Sequence, residues 1–484
     1  MKKATVTFAL ISCLAACFSV ISKADAAILN AASCSQSDVQ AQLNAATAGD
    51  TIVIPAGTCT WTSGVTWNKG VTIQGAGPTS TIISATTAVE FFIIPWTVDG
   101  GNYRLTGLGL TGSVPGPSDI AVSGRFATLR LDHLNISTSS SRALWFGLQT
   151  LQETYLGYPQ THKALLDHIV FTPGDGGHIF AEIYGTNSAW MEDDDFGSDN
   201  YVFIEDSTFN YANANYEIVD SEFGARITFR YNTVTNSQGV CSHDTGSTPR
   251  SRGTRLIEAY NNTFTCTLSG GCYTAANFNR GGSGLFYNNV LTGSYNYVNW
   301  PEIYRVMYSD SWVGGGYCSQ TGTRKICEDG LQHCSGGTKD GYPCLTSTDC
   351  SGGGTCPSDF SCTSNTNCMK PDGNAGVCMQ VDGSNQYGYP CRDQMGRGKD
   401  DPATGVQVSL PAYWWSNTLN GNPVNLYVQG VYQNYIQEGR DFCNHSPETA
   451  CGSKAAWNYA PYTYPHPLQA RDTTPAAPRD LRVQ

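Results

Sequence analysis

One phrase of apolar and polar residues returns again and again along this chain. An alternating segment leads to one or two small polar residues, and an apolar residue closes it. It appears at Tyr103-Arg104-Leu105-Thr106-Gly107-Leu108-Gly109-Leu110, at Leu129 to Ile136, at Leu165 to Phe171 and at Phe203 to Phe209. Further copies are Ile227 to Val234, Ile257 to Phe264 and Leu285 to Leu291. Alternation with period two places odd and even side chains on opposite faces of a strand, so each copy predicts a strand with one buried face. The closing residues 110, 136, 171, 209, 234, 264 and 291 are separated by steps of 25 to 38 residues. Irregular steps of that size fit successive coils of a stacked all-β structure with loops of varying length. Asn232, Asn262 and Asn289 occupy the same place in their copies, and a ladder of stacked Asn there would satisfy turn backbone and side chains together.

Two segments break the phrase. Near the start, Ser35 or Ser37 can cap a helical segment through Val39, Leu43 and Ala46, followed by the strand Thr51 to Pro55. A short helix ahead of many strands suits a cap over the open end of a stack. Residues 318–391 hold ten cysteines among Gly, Ser, Thr and Asp and carry almost no aliphatic core, so disulfides must hold that insertion together. The predicted organisation is a leader over 1–26, stacked coils over 27–317, the Cys-rich insertion over 318–391, closing coils over 392–470 and a disordered tail over 471–484.

Lys2 and Lys3 before an apolar run from Ala4 to Ile21, with Ala24-Asp25-Ala26 as cleavage site, predict export to the extracellular space or cell surface. Leu14-Ala15-Ala16-Cys17 offers the alternative of a lipid anchor at Cys17. No later segment reaches the ~20 apolar residues that span a bilayer. Seventeen cysteines beyond the leader then read as disulfides, with Cys34–Cys59, Cys266–Cys272 and Cys443–Cys451 as local pairs and Cys241 as the thiol left over. A net charge of −12 with only 14% charged residues argues against a nucleic-acid partner, which calls for a basic footprint. A monomer is the default assembly.

The coils Tyr231-Asn232-Thr233-Val234, Asn261-Asn262-Thr263-Phe264 and Asn288-Asn289-Val290-Leu291 resemble the pectate-lyase-like superfamily of right-handed parallel β-helices. The start from Gln40 to Pro55, followed by Val71-Thr72-Ile73-Gln74-Gly75-Ala76-Gly77, resembles it too. The resemblance implies an all-β, right-handed parallel β-helix with an N-terminal capping helix and a Cys-rich disulfide insertion. That fold carries lyases, hydrolases, esterases and binding proteins, so activity has to be argued from the site. More loosely, Glu217-Ile218-Val219-Asp220-Ser221-Glu222-Phe223 and Ser242-His243-Asp244 resemble the alginate and chondroitin lyases of that fold, with Glu222 where those enzymes carry a base Lys.

With the Asn residues as register, Asp132, Asp167, Glu205, Arg230, Tyr260 and Tyr287 form one outward column, about 4.8 Å from coil to coil. Stacked carboxylates need a cation between them, and Ca²⁺ or Arg230 would serve. Arg226 and Arg230 point to one face about 13 Å apart, at ~3.3 Å per residue, and Arg250, Arg252 and Arg255 follow one coil later. Guanidinium groups suit bidentate capture of a uronate. β-Elimination from a uronic acid needs its carboxylate neutralised, a base for the adjacent C–H and an acid for the leaving oxygen. The expected roles are His243 and Arg252 in proton transfer; Arg226, Arg230, Arg255 and Tyr260 in substrate binding; and Asp220, Glu222 and Asp244 as Ca²⁺ ligands. An extracellular lyase-like enzyme on acidic polysaccharide leads. A non-catalytic carbohydrate-binding adhesin and a glycoside hydrolase, which needs a carboxylate pair across the bond, stand as alternatives. The run Asp193-Asp194-Asp195 reads as solvated surface.

Overall fold

A computed structural model describes residues 26–95, 97–98, 100–112, 118–124, 128–147, 163–174, 179–213, 216–243, 252–302, 325–327, 331–344, 346–358, 361–370, 373–380 and 391–471. The leader to residue 25 with its Cys17, and the tail from 472, lie outside them, as do Asp244 and Arg250. The expected cap helix is Gln36–Ala45, with the Ser35 hydroxyl accepting from the Asp38 amide and Val39 and Leu43 buried. No helix among the described residues is long and apolar enough to cross a membrane.

Among the described residues strands far outnumber helices, and most of them lie in two large sheets of 21 and 9 strands. Successive strands of the larger sheet pair in parallel: Leu129–Asp132 with Ala164–Asp167, then Val202–Glu205, Arg226–Arg230, Leu256–Tyr260, Ser283–Tyr287 and Ala412–Trp415. The closing apolar residues fall in register, Leu110 on Ile136 on Phe171 on Phe209 on Val234 on Phe264 on Leu291. All seven are at most 2% exposed, so this column is continuous core. At ~1.5–3 kcal/mol for each fully buried large apolar side chain, such columns hold neighbouring coils in register.

Between the two strands of each phrase the backbone turns through a left-handed residue: His133, His168, Asp206, Tyr231, Asn261, Asn288 and Ser416, with φ between 52° and 57°. The sharp corner leaves backbone groups unpaired, and the next residue satisfies them. Asn262 Oδ1 accepts from the backbone N and the Nδ2 of Asn232 at 3.0 and 3.2 Å, Asn289 does the same for Asn262, and Asn417 for Asn289. The Nδ2 groups also donate to the carbonyls of Ile204, Phe229, Ala259 and Phe286. The ladder thus gains Asn417, a member not apparent from the sequence, 128 residues beyond its partner.

Those intervening residues include the Cys-rich segment. Its described disulfides are Cys327–Cys368, Cys334–Cys350, Cys344–Cys356 and Cys362–Cys378. Cys34–Cys59, Cys266–Cys272 and Cys443–Cys451 pair as expected, and Cys241 is a buried free thiol.

Candidate functional site

The predicted outward column exists, and it is not a groove. Asp132, Asp167, Glu205, Arg230, Tyr260 and Tyr287 are stacked in register. Arginines resolve the repulsion between the acids: Arg104 forks onto Asp132 with two contacts of 2.8 Å, and Arg130 onto Asp167 with two of 2.9 Å. Arg230 Nε donates to Glu205 at 2.6 Å. Burial alone would raise Asp132, but Arg104, His133 and Arg130 outweigh it and hold that carboxyl well below its usual range.

The C-terminal segment then lies across this column. Arg230 donates to the carbonyls of Tyr462 and Thr463 at 2.7 and 2.9 Å and to the Tyr260 hydroxyl at 2.9 Å. Glu205 accepts from the His466 amide at 3.0 Å and from Gln469 at 2.7 Å, and Glu258 accepts from Gly197 N and the Tyr459 hydroxyl. Tyr260 stacks on Tyr287 at 4.6 Å and is 1% exposed. Arg230 and Tyr260 are therefore corrected from substrate binding to clamping this strap.

The other arginines are corrected likewise. Arg252 is fully buried, donates to Asp393 and Asp400 through four contacts of 2.7 to 3.0 Å, and lies over Trp190. Burial opposes its charge, but the two aspartates more than compensate and push its pKa further up, so it holds its proton and takes no part in proton transfer. Arg226 pairs with Glu192 at 2.8 Å, and Arg255 with Asp194. Lys399 pairs with Asp193. Within the acidic run, Glu192 and Asp194 partner the buried Arg226 and Arg255, while Asp193 lies at the solvated surface as expected, beside a partly exposed Lys399.

An open charged surface lies on the nine-stranded sheet instead. Its strands Arg142–Phe146, Ile179–Tyr184, Val219–Glu222, Val240–Ser242 and Cys272–Asn279 run parallel. Val219 and Ser221 turn inward, so Asp220 and Glu222 face out. Register sets Trp145, Glu182, Asp220 and Cys241 in one outward column. Tyr184 lies beside Glu222 in the next. His243, just past its strand, continues that column, since its backbone N donates to Ser221 O at 3.1 Å; Arg280 follows, donating to Ser242 O at 3.2 Å.

The side chains converge. His243 Nε2 is 2.8 Å from Asp220 Oδ1 and its Nδ1 is 3.3 Å from Glu222 Oε1, with each of the three side chains about one-fifth exposed. The Arg280 guanidinium packs against the imidazole at 3.1 and 3.2 Å and pairs through Nε with Glu302 at 3.0 Å. Arg142 Nε meets Glu182 at 2.7 Å, and the Tyr184 hydroxyl donates to the same carboxylate. Trp300 Nε1 donates to Glu302 at 2.9 Å and joins Tyr273 and Tyr297 in an aromatic cluster, Tyr273 being 40% exposed.

Burial raises Glu182, Glu217 and Glu222, the last to about 7. Burial also raises Asp220, but His243 and Arg280 outweigh it and hold Asp220 below the usual range. Desolvation would lower His243, yet Asp220 and Glu222 overcome it and raise its pKa. His243 therefore favours the imidazolium form, which corrects its expected role as a neutral base. Of the expected site residues the structure brings together His243, Asp220 and Glu222; Arg226, Arg230, Arg252, Arg255 and Tyr260 lie elsewhere. Sequence reasoning missed Arg142, Glu182, Tyr184 and Arg280. For Arg280 a signal was present, since Asn279-Arg280 ends its strand as Ser242-His243 does.

No family model matches this chain, and no curated protein matches its sequence. Among solved structures, an alginate lyase from Paenibacillus sp. str. FPU-7 is similar at a TM-score of 0.34 and 15% identity, covering 56% of this chain and 97% of that one. The PL6 family alginate lyase AlyGC is similar at a TM-score of 0.34 and 12% identity, covering 91% of this chain and 60% of that one.

Proposed function

We propose that this chain is a right-handed parallel β-helix that works outside the cell on an acidic polysaccharide, with β-elimination at the Asp220–Glu222–His243 cluster as its chemistry. The observation that carries it is His243 held between two carboxylates, with a guanidinium packed on its ring, on an open face. Arg280 and Arg142 supply the positive charge that a uronate carboxylate needs to acidify its neighbouring C–H. Glu222, which burial brings to about 7, is the proton acceptor, and the His243 imidazolium donates to the leaving oxygen.

A Ca²⁺ ion would draw on Glu182 and Asp220, oxygen donors in register on adjacent strands, and leave Glu222 free as the base. Such an ion would neutralise the substrate carboxylate. Incubation with pectin, alginate and glycosaminoglycans, followed by ultraviolet absorbance of an unsaturated uronide, is the test. Absence of that product from every polyuronide removes the lyase reading.

A second reading has its own support. The Tyr273–Tyr297–Trp300 cluster, linked through Glu302 to Arg280, offers faces on which sugar rings stack. A non-catalytic binder would use these rings, retain glycans without turnover and keep its affinity in His243→Ala.

A further inference from the structure

Cys241 is not accounted for by elimination chemistry. It is the free thiol among the described cysteines, in a chain whose other described cysteines are in disulfides. It stands beside Asp220 in register and two residues before His243, so thiol and imidazole project from one face. The Cys241 sulfur, an Asp220 carboxylate oxygen and a His243 ring nitrogen all lie within 4.8 Å of one another.

A second observation concerns charge. Glu182, Glu217, Asp220, Glu222 and Glu302 face two guanidinium groups, Arg142 and Arg280, and one imidazole. Among the described residues, five acids share two permanent cations in a partly desolvated site, a crowding of carboxyl groups that a further cation would relieve.

We propose that Asp220, Cys241 and His243 form a site for a thiophilic divalent cation of the Zn²⁺ class. Thiolate and imidazole together select Zn²⁺ or Cd²⁺ over Ca²⁺ and Mg²⁺, which take oxygen. On binding, the thiol and the His243 imidazolium each release a proton to solvent, and the metal takes one sulfur and one ring-nitrogen lone pair. The Arg280 guanidinium yields its place on the imidazole while its Nε stays with Glu302. Three protein donors leave a fourth tetrahedral position for water, and on the glycan reading above a metal-held His243 no longer donates its proton, so the ion blocks the elimination. Asp220 is common to this set and to the Ca²⁺ ligands, so the two ions exclude each other.

The test uses the full chain after chelator treatment and dialysis, with no glycan present. Titration with Cd²⁺ should produce a thiolate-to-cadmium charge-transfer band saturating at one ion per chain. Cys241→Ser should abolish the band, and His243→Gln should weaken binding roughly tenfold or more. Zn²⁺ should also displace Cd²⁺ and remove the band, a measurement that needs no variant and no access of a reagent to the buried thiol. A native chain showing no stoichiometric band, a band that survives Cys241→Ser, or a band unaffected by excess Zn²⁺ overturns the site. Failure to cleave any polyuronide leaves these readouts untouched, so loss of the glycan reading and loss of the metal site are separable.

Discussion

Two faces of this molecule carry outward columns of acids and arginines, and they are finished in opposite ways. On the long sheet, Arg104, Arg130 and Arg230 match Asp132, Asp167 and Glu205, and a strap of backbone carbonyls, tyrosines and His466 completes the coordination. On the short sheet, acids outnumber permanent cations among the described residues, and the side chains remain partly open. Identical residue types therefore mean different things. Charge that is matched and covered stabilises neighbouring coils, whereas surplus charge left accessible is available to a ligand.

The largest expected effect falls on the open face. His243→Gln should reduce uronide turnover about 10²–10⁴-fold while the urea midpoint stays near that of the parent chain. Equal losses of turnover and stability would make His243 as structural as Arg230. On the closed side, Arg252→Ala leaves Asp393 and Asp400 buried without their partner and should cost about 3–5 kcal/mol in denaturant unfolding. A stable, inactive Arg252→Ala would return Arg252 to the chemistry and erase the contrast.

A smaller effect is expected in the ladder. Asn262→Ala removes an acceptor for Asn232 and donors to Phe229 and Asn289, at about 1–3 kcal/mol for the groups left unpaired. The smallest is a matter of pH. Burial, helped by Arg230, lowers His466 from 6.5 to about 4, with Asp167, Asp199 and Arg130 also acting on it. The folded state therefore favours the neutral ring. Its contribution to strap docking is present above about 6.5 and is lost as pH falls through about 4. Hydrogen exchange of residues 457–471 should accelerate over that window, and His466→Gln should flatten the dependence.

What the sequence revealed follows from how local each signal is. Asn232, Asn262 and Asn289 and the seven closing apolar residues recur within a few tens of residues, so periodicity alone exposes them and sets the register of the column from Asp132 to Tyr287. Asn417 obeys the same rule but stands beyond the Cys-rich segment. Asp220, Glu222 and His243 lie within 24 residues of one another, close enough for a local reading of the sequence to gather them. Their neighbours Glu182 and Tyr184 come from the preceding coil, and loops of unequal length conceal that pairing. The strap was invisible because its contacts, such as Arg230 to Tyr462, join residues more than two hundred positions apart through backbone carbonyls that carry no sequence signature.

The long excursion between Asn289 and Asn417 also bears on how the molecule is made. Most coils can add as soon as the next few tens of residues leave the ribosome, but the strand Ser283–Tyr287 must wait for Ala412–Trp415. Closing a connection of 128 rather than 27 residues costs only about 1.4 kcal/mol more in chain entropy. The burden is one of time. Until the distant strand arrives, a row of unpaired amides and carbonyls ends the stack, ready to template a stranger. Rapid oxidation of the intervening cysteines would shorten the effective tether, and so the period for which that edge stays open.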